Sequence, residues 1–312
     1  MEGNTTHVFE GAATVTMRDG PVSGVPLMIK ILNNAAIAMW IGPDRIDSHF
    51  GINPVYGTLT ESSRAVMADM REGMAMNERP ANATGAVLES SSVNYYGNAT
   101  GYLVQPEGET GLPAVVVIHE WGGLNQHIKD AADRLAAEGY VVLAADLYSS
   151  EVVTMPERAR ELSGSVRGNP GEAVSNLNAA VEYVSSLPNV NNSRVAALGW
   201  CFGGGFSMQL ALNATQPLAA TVIYYGNLVT DEEQLSVIEW PVLGVFGTED
   251  QAVPVETARE FDAALDSAGV INEIYIYEGV GHAFANPSGS NYAPEETADA
   301  WEKTLAFLSK YV

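Results

Sequence analysis

Residues from about 92 to 312 predict an α/β fold, with a mostly parallel central sheet and helices on both faces. Three observations carry that expectation. Apolar runs of strand length, such as Ala114–Ile118 and Val141–Ala145, recur through the region. They are apolar throughout rather than alternately apolar and polar, the pattern of strands covered on both faces. Helix-like stretches separate them, giving the repeated strand–helix units of a parallel sheet.

In chain order, Ala99–Gln105 and Ala114–Ile118 read as strands, and Asn125–Glu138 as an amphipathic helix ending at Gly139. Val141–Asp146 is the next strand, and Pro156–Val166 and Glu172–Leu187 are helices. Arg194–Gly199 is a strand that runs straight into a helix from Phe202. Ala219–Tyr225 and Pro241–Gly247 are strands, Val255–Ala268 a helix, Glu273–Tyr277 a strand and Pro294–Tyr311 a closing helix. Ligands of such sheets sit beyond the carboxyl ends of the strands.

Residues 1–90 form a separate N-terminal extension, read as a lid, a cap or a packing element, and residues 91–312 form the main domain. Within the extension Val8–Met17 and Leu27–Ile31 have strand character and Glu61–Met76 helical character. The polar stretch Asn77–Thr84 reads as a linker. Met67, Met70 and Met74 recur at helical spacing. They suit a packed helix filling irregular space or a pliable acyl-binding lid.

Composition narrows the function classes. Of 312 residues, 46% are hydrophobic and 17% charged, the balance of a globular protein with a substantial core. No apolar run reaches the roughly 18 residues of a membrane span. Lys and Arg total 15 against 38 Asp and Glu, a net charge of −23. Such a surface repels phosphate backbones, so nucleic acid is not an expected partner. The acidity fits a saline habitat or simple solubility. Cys201 is the one cysteine, which rules out an intramolecular disulfide. Met1 is followed by the polar stretch Glu2–His7 with no signal-peptide pattern. That points to the cytoplasm, or to an extracytoplasmic protein whose signal has been removed. The expected state is a monomer or homodimer acting on a small molecule.

The sharpest local signal is Gly199–Trp200–Cys201–Phe202–Gly203, a G-x-C-x-G between an apolar strand and a helix. A tight strand-to-helix turn strains the backbone of its middle residue and lifts it above the sheet edge, and flanking glycines remove clashing side chains. The positive end of the following helix favours a thiolate. A lone cysteine is ordinarily a small buried hydrophobe; the glycine bracket makes Cys201 a nucleophile. A thiol nucleophile needs a base, and the base an orienting carboxylate. The one histidine after Cys201 is His282, in the loop Gly279–Phe284 beyond a strand. Asp250 lies beyond the preceding strand, with Glu249 as the competing acid. The order nucleophile, acid, histidine is that of strand–turn–helix hydrolases. No H-E-x-x-H or cysteine cluster suggests a metal, and no cofactor is expected.

With these residues in place, the chain from about residue 92 resembles the dienelactone hydrolase family of α/β-hydrolases. The shared motifs are Val117–Asn125, Ala145–Tyr148, Gly199–Gly204, Gly247 with Asp250, Val253 and Pro254, and Gly281–Phe284. The resemblance implies that Glu120 contacts the resting thiol and takes its proton when substrate binds. It implies an oxyanion hole from the backbone N–H groups of Trp121 and Phe202. It implies that Arg160 grips a substrate carboxylate, while the family's second arginine is replaced here by Asn286. With one clamp missing, broader esters are favoured over the family's namesake lactone. Trp121, Trp200 and Phe284 are expected to supply an aromatic pocket. The predicted activity is hydrolysis of carboxylic esters or lactones through a Cys201–His282–Asp250 triad and a thioacyl-enzyme. The same triad acting on thioesters or phosphotriesters is a second reading. A non-catalytic binding module on a hydrolase scaffold is a third.

Overall fold

The computed structural model describes residues 4–17, 20–32, 36–41, 55–58, 87–153 and 155–312, those before residue 87 by backbone alone. The expected helix Glu61–Met76, its methionines and the linker Asn77–Thr84 lie outside the described residues. Two compact units are present. One comprises Met1–Ser91, Val104–Gly108 and Asp133–Gly139. The other comprises Ser92–Leu103, Glu109–Ala132 and Tyr140–Val312.

In the first unit, β1 (Asn4–Met17), β2 (Gly20–Leu32), β3 (Ala36–Ile41) and β4 (Val55–Thr58) form an antiparallel meander. Phe9 faces Ile29 and Ile29 faces Met39, with a bulge between Ala13 and Val15. The strands expected at Val8–Met17 and Leu27–Ile31 fall within β1 and β2. Pairing extends both beyond their apolar centres.

The later strands are β5 (Val87–Tyr96), β6 (Ala99–Pro106), β7 (Leu112–Ile118), β8 (Val141–Ala145), β9 (Val190–Trp200), β10 (Ala220–Tyr224), β11 (Val242–Gly247) and β12 (Asn272–Tyr277). They lie in the order β12-β11-β10-β9-β7-β8-β6-β5. The neighbours from β8 through β12 pair in parallel. Helices connect them: α1 (Gln126–Ala137), α2 (Pro156–Gly168), α3 (Pro170–Ser185), α4 (Phe202–Asn213), α5 (Glu232–Leu235), α6 (Val255–Ala268) and α7 (Pro294–Tyr311).

Helices on both faces explain why the central strands lack alternation. Ala114–Ile118 and Val141–Ala145 are fully buried, as are Ala196, Ala197 and Leu198 of β9. Each fully buried Val, Leu or Ile in this layer contributes about 1.5–3 kcal/mol. The loop after β8 is tied down by polar contacts. The Tyr95 hydroxyl accepts the Asp146 N–H at 2.8 Å and donates to the Asn176 side chain at 2.7 Å. The Asp146 carboxylate accepts the N–H groups of Thr100, Tyr148 and Ser150. That knot fixes Tyr148, whose ring packs on Phe202 beside the elbow.

Candidate active site

β9 enters α4 through a single residue, Cys201, whose backbone lies at φ 53° and ψ −113°. For a residue with a side chain, that region costs about 1–3 kcal/mol. Its N–H donates to the Tyr224 carbonyl at 2.9 Å, anchoring the turn to β10. Two glycines make the turn possible. A Cβ on Gly199 would lie 2.2 Å from the Gly203 carbonyl oxygen. One on Gly203 would lie 2.2 Å from the Ile118 oxygen and 2.6 Å from the His119 oxygen. The start of α4 is therefore pressed against the end of β7 as well as β9.

The sulfur of Cys201 is 3.1 Å from Nε2 of His282, and Nδ1 of His282 is 2.8 Å from Oδ2 of Asp250. The other oxygen of Asp250 accepts the N–H groups of Ala252 at 2.7 Å and Val253 at 2.9 Å. This buried carboxylate is thus aimed by its own loop, whereas Glu249 is exposed. A buried acceptor at Nδ1 keeps the proton there and leaves Nε2 to the thiol. Burial opposes a positive charge on His282. The hydrogen bonds and charges of Asp250 and Cys201 outweigh it and push the pKa up to about 10. The Tyr225 ring meets the His282 ring edge-on, with centroids 5.3 Å apart, and limits its swing.

Glu120 follows β7 and is 3% exposed. Burial pushes its carboxyl up to about 7, although the charge of His282 and a hydrogen bond from Asn286 work the other way. That bond runs from the Asn286 side-chain amide to Oε2 of Glu120. The implied contact between Glu120 and the resting thiol is not made, because the sulfur is engaged by His282 and the carboxyl by Asn286. Asn286 faces Glu120 rather than the cleft beside the sulfur.

The backbone N–H groups of Trp121 and Phe202 have no backbone acceptor among the described residues. Phe202 opens α4, where a free N–H is expected. His119 steadies the loop that carries Trp121. Fully buried, it donates from Nδ1 to the Glu120 carbonyl at 2.6 Å and accepts the Leu147 N–H at Nε2, 3.1 Å away. Burial lowers its pKa, which keeps the imidazole neutral, and its ring stacks on Phe202.

A cleft of about 280 Å³ adjoins the sulfur. Cys201, Phe202, Phe206, Gln209, Asn227 and Arg167 are among the residues that line it. Three expectations need correction here. Arg160 is not in this cleft: its side chain is 69% exposed and lies 4.0 Å from Glu157. Arg167 stands there instead, its guanidinium 5.3 Å above the Phe202 ring. Seven residues are about two turns, so both arginines share a stripe of α2 but sit roughly 10 Å apart along it. Trp200 is buried against Tyr224, centroids 5.7 Å apart, because the residue before the elbow points into the fold. Phe284 is fully buried between Tyr225 and Tyr277. Phe202 and Phe206 form the aromatic wall in their place, and Trp121 is 41% exposed.

Sequence reading assigned no role to Arg167 or Tyr225, nor to Tyr148 and His119, which it named only within the shared motifs. Heptad spacing from Arg160 points to Arg167, and position at a carboxyl strand end points to the other three. Among the described residues no group of three or more His, Cys, Asp or Glu is placed to hold a metal ion. Nor is any helix among them long and apolar enough to cross a membrane.

Comparison with known proteins bears on this geometry. A model of the dienelactone hydrolase family matches residues 99–312. A Synechocystis protein provisionally named carboxymethylenebutenolidase is 32% identical over 221 residues, spanning 65% of this chain and 88% of that one. Protein usf of Aquifex pyrophilus is 30% identical over 217 residues, or 68% of this chain and 93% of its own. Among solved structures, a dienelactone hydrolase-like promiscuous phosphotriesterase from metagenomic libraries superposes with a TM-score of 0.67 at 28% identity. It covers 73% of this chain and 99% of its own.

Proposed function

Since the chain belongs to the dienelactone hydrolase family and is a carboxylic-ester hydrolase, we propose that it cleaves esters and lactones through a thioacyl-enzyme on Cys201. One observation carries the reading: His282 bridges the sulfur and the buried Asp250, at 3.1 Å and 2.8 Å. The sulfur of Cys201 attacks the carbonyl carbon, and the C=O pair moves to oxygen. The Trp121 and Phe202 N–H groups donate to that oxyanion, each worth about 3–4 kcal/mol. As the tetrahedral adduct collapses, His282 gives its proton to the departing alkoxide. A water then gives a proton to His282 and attacks the thioester, releasing the acid and restoring the sulfur. For a lactone the alcohol stays tethered to the acyl group, so the product is one hydroxy acid.

Labelling with one equivalent of iodoacetamide tests this directly. Esterase activity should fall in proportion to carboxamidomethylated Cys201, and full labelling with activity intact would refute the mechanism. Phosphotriesters are a second reading, favoured by the likeness to the metagenomic phosphotriesterase. Rates on paraoxon-like substrates against nitrophenyl esters separate the two.

A further inference from the structure

We propose that the line Cys201–Gly205–Gln209 on α4 is the subsite for the acyl half of the ester, and that Gly205 sets how large that half can be. The proposal deepens the thioacyl reading and rests on Cys201 being the nucleophile. From Phe202 to Ala211 every residue of α4 is buried except Gly205 and Gln209, which are half-buried like Cys201 itself. A spacing of four puts all three on one helix face, and all three line the cleft beside the sulfur. Eight residues are just over two turns, so the line runs roughly 12 Å from the nucleophile. Phe202 and Phe206, centroids 4.8 Å apart, form its apolar wall.

Packing does not explain the glycine at 205. A Cβ on Gly203 would lie 2.2 Å from the Ile118 oxygen, and one on Gly204 would lie 2.6 Å from the Tyr224 oxygen. On Gly205 the nearest atoms would be the Asn227 nitrogen at 3.3 Å and the Asn227 Cβ at 3.5 Å. The Gly205 N–H donates to the Cys201 carbonyl at 3.1 Å, so the residue sits within the helical bonding, where glycine is disfavoured. A helix-weakening residue that no close neighbour requires leaves space open, and that space is the floor of the cleft. Stereochemistry assigns the occupant. Sulfur takes one position on the tetrahedral carbon, and the oxyanion faces the N–H groups of Trp121 and Phe202. The departing oxygen must meet Nε2 of His282 to receive its proton. His282 does not line the cleft, so the fourth substituent, the acyl chain, is the one directed into it. When the C–O bond breaks, the alcohol leaves past His282 and the acyl group stays on sulfur along α4. At about 280 Å³ the cleft is smaller than the roughly 300–1,000 Å³ of sites for drug-sized ligands. It suits a short aliphatic or benzoyl group rather than a long fatty chain.

The test is kcat/KM on the full chain for acetyl, butanoyl and benzoyl esters, each made with both nitrophenol and methylumbelliferone. Gly205→Ala should lower the benzoyl-to-acetyl ratio about tenfold or more, the discrimination that one methyl group can exert in a packed pocket. The factor should be the same for both alcohols, a substrate split that mere loosening of the fold would not produce. Gln209→Trp, which fills the far end, should lower the benzoyl-to-acetyl ratio in the same alcohol-independent way and supplies the readout should the alanine variant lose its fold. Ratios equal to wild type overturn the proposal. So does an effect that follows the alcohol rather than the acyl group. Hydrolysis that persists after complete alkylation of Cys201 marks a different failure, that of the nucleophile reading itself.

Discussion

Asp250→Asn isolates the orienting carboxylate. The native side chain accepts three N–H groups, from Ala252, Val253 and Nδ1 of His282, and it is buried. An asparagine oxygen can keep the two loop bonds, so the fold should survive with a loss of about 1–2 kcal/mol. Its amide nitrogen then faces Nδ1 of His282 and donates to it. The ring proton is forced to Nε2, which points at sulfur and can no longer accept the thiol proton. A tautomer error of this kind costs about 1,000- to 10,000-fold in kcat. At 1.36 kcal/mol per decade that is about 4–5.5 kcal/mol. Initial rates on a nitrophenyl ester, with thermal melts as a control, measure both effects. Glu249→Gln, an exposed change on the same loop, should retain full activity. A folded Asp250→Asn protein within tenfold of wild type would refute the reasoning.

Gly203→Ala places a methyl 2.2 Å from the Ile118 oxygen, so α4 must move away from β7. A loss of about 1–3 kcal/mol in stability is expected by denaturant titration, with a fall in kcat as the Phe202 N–H is displaced. Arg167→Gln should alter KM because that side chain lines the cleft, whereas Arg160→Gln should leave it unchanged; equal effects would restore Arg160 to the site. Glu120 has a folded-state pKa pushed up to about 7, mainly by burial, from an ordinary value of 4.5. Its protonated form therefore stabilises the fold at low pH, and that contribution is lost as pH rises from about 4.5 through about 7. Relative to Glu120→Gln, the wild type should lose stability across that window, as read by melting temperature against pH.

Most of the α/β frame was legible because buried parallel strands carry their signal in local composition. The α6 and α7 boundaries, Val255–Ala268 and Pro294–Tyr311, were read at the residues observed. Where the signal failed, structure came from partners rather than composition. β5 is a largely polar strand with no apolar run to announce it. The exposed start of β9 is a strand because Val190 pairs with Leu112 across an irregular register. Helix α5 is a single turn capped by the Asp231 side chain. At the candidate site, glycine spacing and chain order sufficed to nominate Cys201, His282 and Asp250, which the fold brings within hydrogen-bonding distance. Side-chain direction was not legible. Trp200 and Phe284 adjoin site residues in sequence yet point into the core, and Arg167, two turns along the same helix, lines the cleft where Arg160 does not.

The most direct test of hydrolysis at Cys201 is to trap the acyl group it would carry. Acid quench during turnover of a nitrophenyl ester, followed by peptide mass analysis, should show one acyl group on the peptide containing Cys201. Cys201→Ala should show none and should lose activity. An acyl group found on another residue, or a Cys201→Ala protein that hydrolyses the ester at the wild-type rate, would contradict the proposed chemistry.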